Sequence, residues 1–189
     1  MRTSTRAAGL ALAMGLLAAT AAPALGQDEA ASPAPVAPGA ETASPLPPIA
    51  GVEWLPIDRQ TGAEIEAEGS AGAIEAWREI LAAVDADFDD LSIDVQLAAL
   101  EGSDLDYGVV LIARIEGADP ERLRPAFEAN VKLAMPFDAV ITPTRMADKD
   151  VLLVEVPPDY RFVYHYAGDA AYQLDLAPDI EESVLAALP

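Results

Sequence analysis

The chain of 189 residues contains no cysteine and a single histidine, His165. Without cysteine there is no disulfide, no thiol nucleophile and no lipidated cysteine to hold the chain at a membrane. One imidazole cannot supply the histidine and cysteine ligands that zinc prefers, so no metal site is predicted. The glycine-rich loops that bind nucleotides and the Gly-x-Ser-x-Gly turn of serine hydrolases are also absent, and no cofactor is predicted.

His165 is the only candidate for an imidazole base, and its sequence neighbourhood is apolar. It lies in a predicted hairpin strand, where pairing about Gly168-Asp169 puts it beside Tyr172 and on the same face as Val163. A catalytic histidine needs a nucleophile and an orienting carboxylate within reach. The pattern therefore favours a structural histidine, and no catalytic residue is predicted.

Basic residues are scarce, since 11 Lys and Arg stand against 32 Asp and Glu, which gives a formal charge of −21 at pH 7. Such a charge repels nucleic-acid phosphates and anionic lipid, so nucleic acid is not expected as a partner. An acidic surface keeps an exported protein soluble, which is the simplest reason for this composition. Binding of cations or of a basic protein is the alternative that the charge leaves open.

The first 26 residues have the pattern of a secretory signal peptide. Arg2 and Arg6 precede an apolar run at residues 7–22, and residues 24–26, ALG, supply small side chains for cleavage. A membrane-spanning helix needs about 20 apolar residues, so the short run favours cleavage over the alternative, a retained anchor. Cleavage removes two of the 11 basic side chains and moves the formal charge from −21 to −23. We therefore expect a secreted or periplasmic chain with no stable membrane insertion after cleavage.

Residues 27–50 are dominated by alanine, proline, serine and acidic side chains. A segment with so few large apolar side chains cannot bury a core, and its proline content favours an extended, disordered linker. The remaining residues 51–189 suit one globular domain of ordinary size. The sequence thus predicts a signal peptide, a linker and a single folded domain.

Changes of hydrophobic period divide the domain into helices and strands. Apolar side chains recur at helical spacing over residues 74–88, with Ser70 as the N-cap. Strict alternation over residues 91–99 predicts a strand with one buried face. Residues 107–115 are apolar on both faces apart from Arg114, which is typical of a central strand.

The second half of the domain predicts two more helices and two hairpins. Asp119-Pro120 marks a helix start, although Pro125 is expected to delay or kink the first turn. Asp179 is expected to cap a closing helix whose inner face carries Ile180 and Val184. The remaining predicted elements are strands at residues 63–67, 138–144, 151–156, 161–166 and 170–176.

This order predicts an α+β domain with a single, mostly antiparallel sheet and helices packed on one face. The first six elements run strand, helix, strand, strand, helix, strand, which fits a ferredoxin-like, split βαβ arrangement as one possibility. A C-terminal hairpin and helix complete the expected fold.

One stretch of sequence, from the last hairpin to the closing helix, resembles a known group. Residues 164–169, YHYAGD, and Tyr172 precede a helix that closes on residues 182–189, ESVLAALP. Together with the helix-to-strand junction at residues 89–92, they resemble a domain in uncharacterised secreted bacterial proteins. The likeness spans residues 70–189, and Asp148-Lys149 stands where such sequences often carry glycines. The resemblance implies a domain boundary and no activity.

Three aromatic side chains on one strand form the candidate ligand site. Phe162, Tyr164 and Tyr166 alternate on the strand face opposite His165, and an exposed aromatic row is suited to an apolar ligand or a protein. The competing interpretation is that a helix covers them, since alternate aromatics are common on buried strand faces.

Acidic side chains suggest two further interpretations. Residues 85–90, DADFDD, resemble a calcium loop in composition but lack the glycine and the bidentate glutamate that an EF-hand needs, so a solvated helix end is favoured. With 32 acids, a pair suited to glycosidase chemistry is always available by composition, but no spacing selects one.

The sequence therefore favours a secreted, non-catalytic domain that recognises a protein or a small apolar ligand. A carboxylate-dependent hydrolase and weak divalent-cation binding are the alternatives.

Overall fold

The computed structural model describes residues 44–100, 106–158 and 160–189. The predicted signal peptide at residues 1–26 lies outside the described residues, as does the predicted linker up to residue 43.

The described residues form a single open sheet in which every neighbouring pair of strands is antiparallel. The sheet has seven strands within the described residues, in the order β1-β2-β3-β7-β6-β5-β4. This confirms the α+β class with one antiparallel sheet. The strands are β1 Val52–Thr61, β2 Leu91–Leu100, β3 Asp106–Ile115, β4 Val140–Met146, β5 Lys149–Val156, β6 Tyr160–Ala167 and β7 Ala170–Leu176.

Four α-helices accompany the sheet in the described part of the chain, and two of them start where the sequence predicts. Ser70 accepts a hydrogen bond from the backbone N–H of Ala73 at 3.3 Å, and Asp119 accepts one from Glu121 at 2.9 Å. Pro125 lies inside its helix, which continues because the carbonyl it deprives of a partner belongs to the exposed Glu121. The helices are α1 Gly62–Glu68, α2 Ala71–Ala83, α3 Pro120–Ala134 and α4 Pro178–Ala187, with a 3₁₀ turn at Phe88–Asp90.

The expected edge strand at residues 63–67 is wrong, because these residues form α1. Thr61 caps this helix: its hydroxyl accepts from the N–H of Glu64, and the Glu64 carboxylate accepts from the N–H of Thr61 at 2.8 Å. The capping box outweighs the weak alternation of two alanines and Ile65. The edge strand is β1, and sequence periodicity misses it because Pro56 and several charged residues interrupt its pattern.

One helix start and one turn also differ from their predicted positions. The helix α4 begins at Pro178 after Ala177, so Asp179 lies within the first turn and is not the N-cap. The strands β4 and β5 reach closer to their shared turn than the predicted strands at residues 138–144 and 151–156, and the turn is formed by Ala147 and Asp148, both with positive φ.

Helices cover both faces of the sheet. The first face, which carries Leu111 and Tyr164, packs against α1, α2 and α3. The second face, which carries Val110 and Val163, packs against α4 through Val184 and other apolar side chains. The expectation of helices on one face therefore holds for three helices, and the closing helix lies on the other side. Its inner residues Ile180, Val184 and Leu188 are buried, as the sequence predicts.

The strand order differs from the ferredoxin-like possibility. In that arrangement a strand is inserted between the two strands that flank the first helix, which are then parallel. Here β1 pairs directly and antiparallel with β2 from Val52 opposite Leu100 to Thr61 opposite Ser92. The strand β3 is the third of the sheet, next to the central β7, and its two apolar faces are both buried as expected.

The leading segment, residues 44–50, packs on the second face ahead of β1. Leu46 is only 5% exposed and joins the core on that face with Val110 and Leu176. The indole N–H of Trp54 donates to the carbonyl oxygen of Pro47 at 3.0 Å. The packed chain thus reaches back before Gly51, where composition places the start of the domain.

The helix α4 is tied to the sheet by an ion pair between Arg161 of β6 and Glu181. The Glu181 side chain is 3% exposed and that of Arg161 is 34% exposed. Because removing one partner leaves the other charge poorly solvated, Glu181→Gln is expected to lower the free energy of unfolding by about 1–3 kcal/mol. Urea denaturation measures this. The neighbouring, exposed Glu182→Gln is the matched control, and equal effects of the two substitutions would contradict the assignment.

Candidate functional site

The three aromatic candidates do not form an exposed patch. Phe162 is 3% and Tyr164 0% exposed, and Tyr166 is half-buried. The Phe127 ring of α3 lies 6.1 Å from the Tyr166 ring and 5.8 Å from Trp77 of α2, so helices cover this strand face. Burial also raises the pKa of both Tyr164 and Tyr166 far above the ordinary tyrosine value. These side chains build the core, which corrects their assignment to a ligand surface.

The exposed apolar side chains lie elsewhere. Phe137 is fully exposed, and Leu133 and Val140 are largely exposed, all between the end of α3 and the start of β4. Leu55 and Ile57 are exposed on the edge strand β1. Leu133 lies in α3, Phe137 in the turn after it and Val140 in β4, and the hydrophobic patterns of the sequence single out none of the five.

His165 contacts backbone carbonyls and an aromatic ring. Its Nε2 lies 3.0 Å from the carbonyl oxygen of Pro189, and its Nδ1 lies 3.4 Å from that of Asp150. The ring stacks on Tyr172 with 6.0 Å between centroids. These contacts tie the end of the chain to the sheet and agree with a structural role.

The acidic residues 85–90 are engaged within the fold. Asp85 pairs with Arg122 of α3, and the hydrogen bond from that guanidinium lowers the pKa of the Asp85 carboxyl. Asp87 accepts from the N–H of Asp89 at 2.9 Å, and Asp90 accepts from the N–H of Asp87 at 3.1 Å. Among the described residues, no group of three or more histidine or acidic side chains is placed to hold a metal ion.

A cavity of about 230 Å³ lies on the second face, where the leading segment crosses the first three strands. Unlike the aromatic row, it is polar. Its lining consists of Pro45 from the leading segment, Pro56, Asp58 and Arg59 from β1, Asp94 and Gln96 from β2, and Arg114 from β3.

Strand register brings these side chains together. Arg59 is paired with Asp94, and Pro56 with Gln96, across β1 and β2. Asp94 is paired with Ile112 across β2 and β3, and Arg114 lies two residues further along, on the same face. Asp94 therefore lies between a direct arginine neighbour on one side and a diagonal one on the other.

Both arginines are held loosely. Arg59 Nε lies 3.5 Å from Asp94 Oδ1, and Arg114 Nε lies 3.5 Å from Asp169 Oδ1. A charge-assisted hydrogen bond is normally about 2.7–2.9 Å long, so neither guanidinium is saturated by its carboxylate. Burial raises the pKa of the Tyr172 phenol, and the neighbouring positive charge of Arg114 opposes this rise. Each guanidinium retains further N–H groups for another acceptor.

Gln96 contains a buried polar atom that lacks a hydrogen-bond partner. The residue is 2% exposed, and its Oε1 is buried without a hydrogen-bond partner. A buried polar atom without a partner costs about 1–3 kcal/mol, so such atoms normally face a water or a ligand. Rotation about the last side-chain torsion exchanges the amide oxygen and nitrogen, so either can serve a molecule in the cavity that Gln96 lines.

Sequence reasoning missed this site for an identifiable reason. The alternation of residues 91–99 puts Asp94 on the polar side of that strand, and the interrupted pattern of β1 predicts no strand there, so the sequence predicts no partner for Arg59. The signal for the site is that two of only 11 basic residues flank one acidic residue across three strands. The sequence does not show this without the strand register.

Comparisons with known proteins add no assignment. No protein-family model matches the chain, and neither a curated protein nor a solved structure matches it. The resemblance of residues 70–189 to secreted bacterial domains therefore stays a prediction. Across residues 44–100, 106–158 and 160–189, every helix is too short or too polar to cross a membrane.

A substitution at Gln96 tests whether its buried amide lacks a hydrogen-bond partner in the ligand-free chain. Gln96→Met keeps the side-chain length and removes the buried polar group, so we expect the free energy of unfolding to rise by about 1–3 kcal/mol. Thermal or urea unfolding measures it, with the exposed Thr144→Val on β4 as a control that should change little. A loss of stability in Gln96→Met would show that the amide is already satisfied.

Proposed function

We propose that this chain is an exported, non-catalytic recognition domain that binds a small polar molecule in the cavity over β1, β2 and β3. The observation that carries the proposal is Gln96, a buried amide without a partner for its oxygen, in a cavity flanked by two incompletely paired arginines. Export rests on the signal-peptide pattern of the first 26 residues.

Charge distribution supports a binding role for the cavity. The chain carries 32 acidic and 11 basic side chains, so an anionic group is repelled over most of its surface. Arg59 and Arg114 provide a local exception on one face of the sheet, on either side of Asp94. Both arginine side chains are largely solvent-exposed, so they stay solvated in the fold. Their planar guanidinium groups are donors suited to a carboxylate or phosphate.

A polar ligand replaces the apolar ligand that the sequence favoured. The aromatic row expected to receive an apolar molecule is buried beneath α3. The walls of the cavity are charged or amide side chains, with apolar surface only from Pro45 and Pro56. Binding sites place a few polar groups where they orient the ligand, and here such groups make up most of the lining.

Binding is favoured over hydrolysis by the state of the two carboxylates in the cavity. Asp94 pairs with Arg59 at 3.5 Å. Asp58 accepts from the N–H of Arg59 and from the side-chain amide of Gln60, both at 2.9 Å. A general acid or base must be free to reach the reacting atom, whereas these carboxylates serve neighbouring donors.

Native mass spectrometry of the chain recovered from its own cells or culture fluid tests this function. Wild type is expected to retain a small-molecule adduct, and the double substitution Arg59→Gln with Arg114→Gln is expected to lose it. The control removes two other exposed arginines, Arg78→Gln with Arg145→Gln, which pair with Glu66 and Asp148 away from the cavity. Wild type without an adduct, or the same adduct in both double variants, would refute a ligand site here.

A further inference from the structure

Resting on that proposed function, we infer that the ligand is a small zwitterion, with one cationic and one anionic group on a short chain. The inference starts from the charges of the lining. Arg59 and Arg114 carry two positive charges, and their carboxylate partners Asp94 and Asp169 carry two negative ones. These four side chains therefore have no net formal charge but present both signs beside the cavity.

Ligands of one sign match this lining poorly. A dianion that reaches both arginines also approaches their carboxylate partners Asp94 and Asp169, and a dication that reaches those carboxylates approaches the arginines. In a partly closed site, the repulsion between like charges then offsets the attraction between the ligand and the opposite charges. A neutral polyol carries no charge, so it gives the loosely paired arginine and aspartate side chains no oppositely charged partner. A zwitterion supplies an acceptor for the guanidiniums and a donor for the carboxylates at once.

The position of each group agrees with a ligand of that kind. Asp94 is on the middle strand between the two arginines, and Gln96 is the next residue on the same face. The Gln96 amide contains both a donor and an acceptor, so it can serve either end of a zwitterion. A ligand ammonium group near Asp94 would donate to its carboxylate, and a ligand carboxylate near Arg114 would accept from its guanidinium. Both ion pairs within the protein are long, at 3.5 Å, so each side chain can take such a second partner.

Size and wall chemistry narrow the ligand further. A volume of 230 Å³ corresponds to about eight water molecules in the liquid. The described residues that line the cavity include no aromatic ring, so they provide no stacking surface for a sugar or a nucleobase. The two prolines offer a short apolar contact, which fits a few methylene groups between the charged ends.

Isothermal titration of the full chain with four five-carbon compounds tests the inference. The probes are 5-aminopentanoate, glutarate, 1,5-diaminopentane and 1,5-pentanediol, which share a chain and differ in their terminal charges. We expect 5-aminopentanoate to bind at least about tenfold more tightly than each of the others at low salt. Tighter binding of another member, or no binding of 5-aminopentanoate, overturns the zwitterion.

Charge substitutions should change the preference in opposite directions. Arg114→Gln should weaken 5-aminopentanoate and favour 1,5-diaminopentane, whereas Asp94→Asn should favour glutarate. Arg145→Gln, on the far edge strand, should leave the order unchanged. An order that does not move in the two cavity variants would contradict the assignment of the charged groups.

The two proposals fail separately. If the retained adduct depends on the arginine pair but is a dianion or a dication, the recognition function stands and the zwitterion falls. If wild type retains no adduct and no probe binds, both fall.

Discussion

Burial of the sheet on both faces is the constraint on which the rest of this structure depends. The central strands β3, β7 and β6 carry apolar side chains on each side, so the sheet is stable only if both faces are covered. Three helices cover the first face, whereas the second face is covered by α4 over β5, β6 and β7 and by the leading segment near β1, β2 and β3. The end of the chain and the beginning of the domain thus meet the same face from opposite sides.

The candidate site exists because this second cover is incomplete. Leu46 closes the apolar part of β2 and β3, and beyond it the register brings Arg59, Asp94 and Arg114 together. These polar side chains cannot join the core without partners, so they remain at the margin and line a cavity. The same arrangement places that cavity at Pro45, within the residues 27–50 that the sequence predicts to be a linker.

Elements with a strong local pattern could be predicted from the sequence, and those that depend on distant pairing could not. Alternation gave β2, and Gly168, which has φ of 58°, gave the turn between β6 and β7. The strand β1 was hidden by Pro56 and by charged residues that find their partners only in β2. For the site, the aromatic row was correctly placed on one strand face, but its burial depends on Phe127 of α3. Nothing local connects Arg59 with Asp94 and Arg114, since strand pairing alone brings them into one site.

In the proposed complex, the arginines of the second face meet the ligand. Nitrogen-15 NMR of the arginine side chains, recorded during titration with 5-aminopentanoate, detects this contact because each Nε–H reports its own surroundings. We expect saturable shifts for Arg59 and Arg114, with those of Arg78 and Arg145 unchanged. Saturation that shifts all four equally, or that spares Arg59 and Arg114, would contradict it.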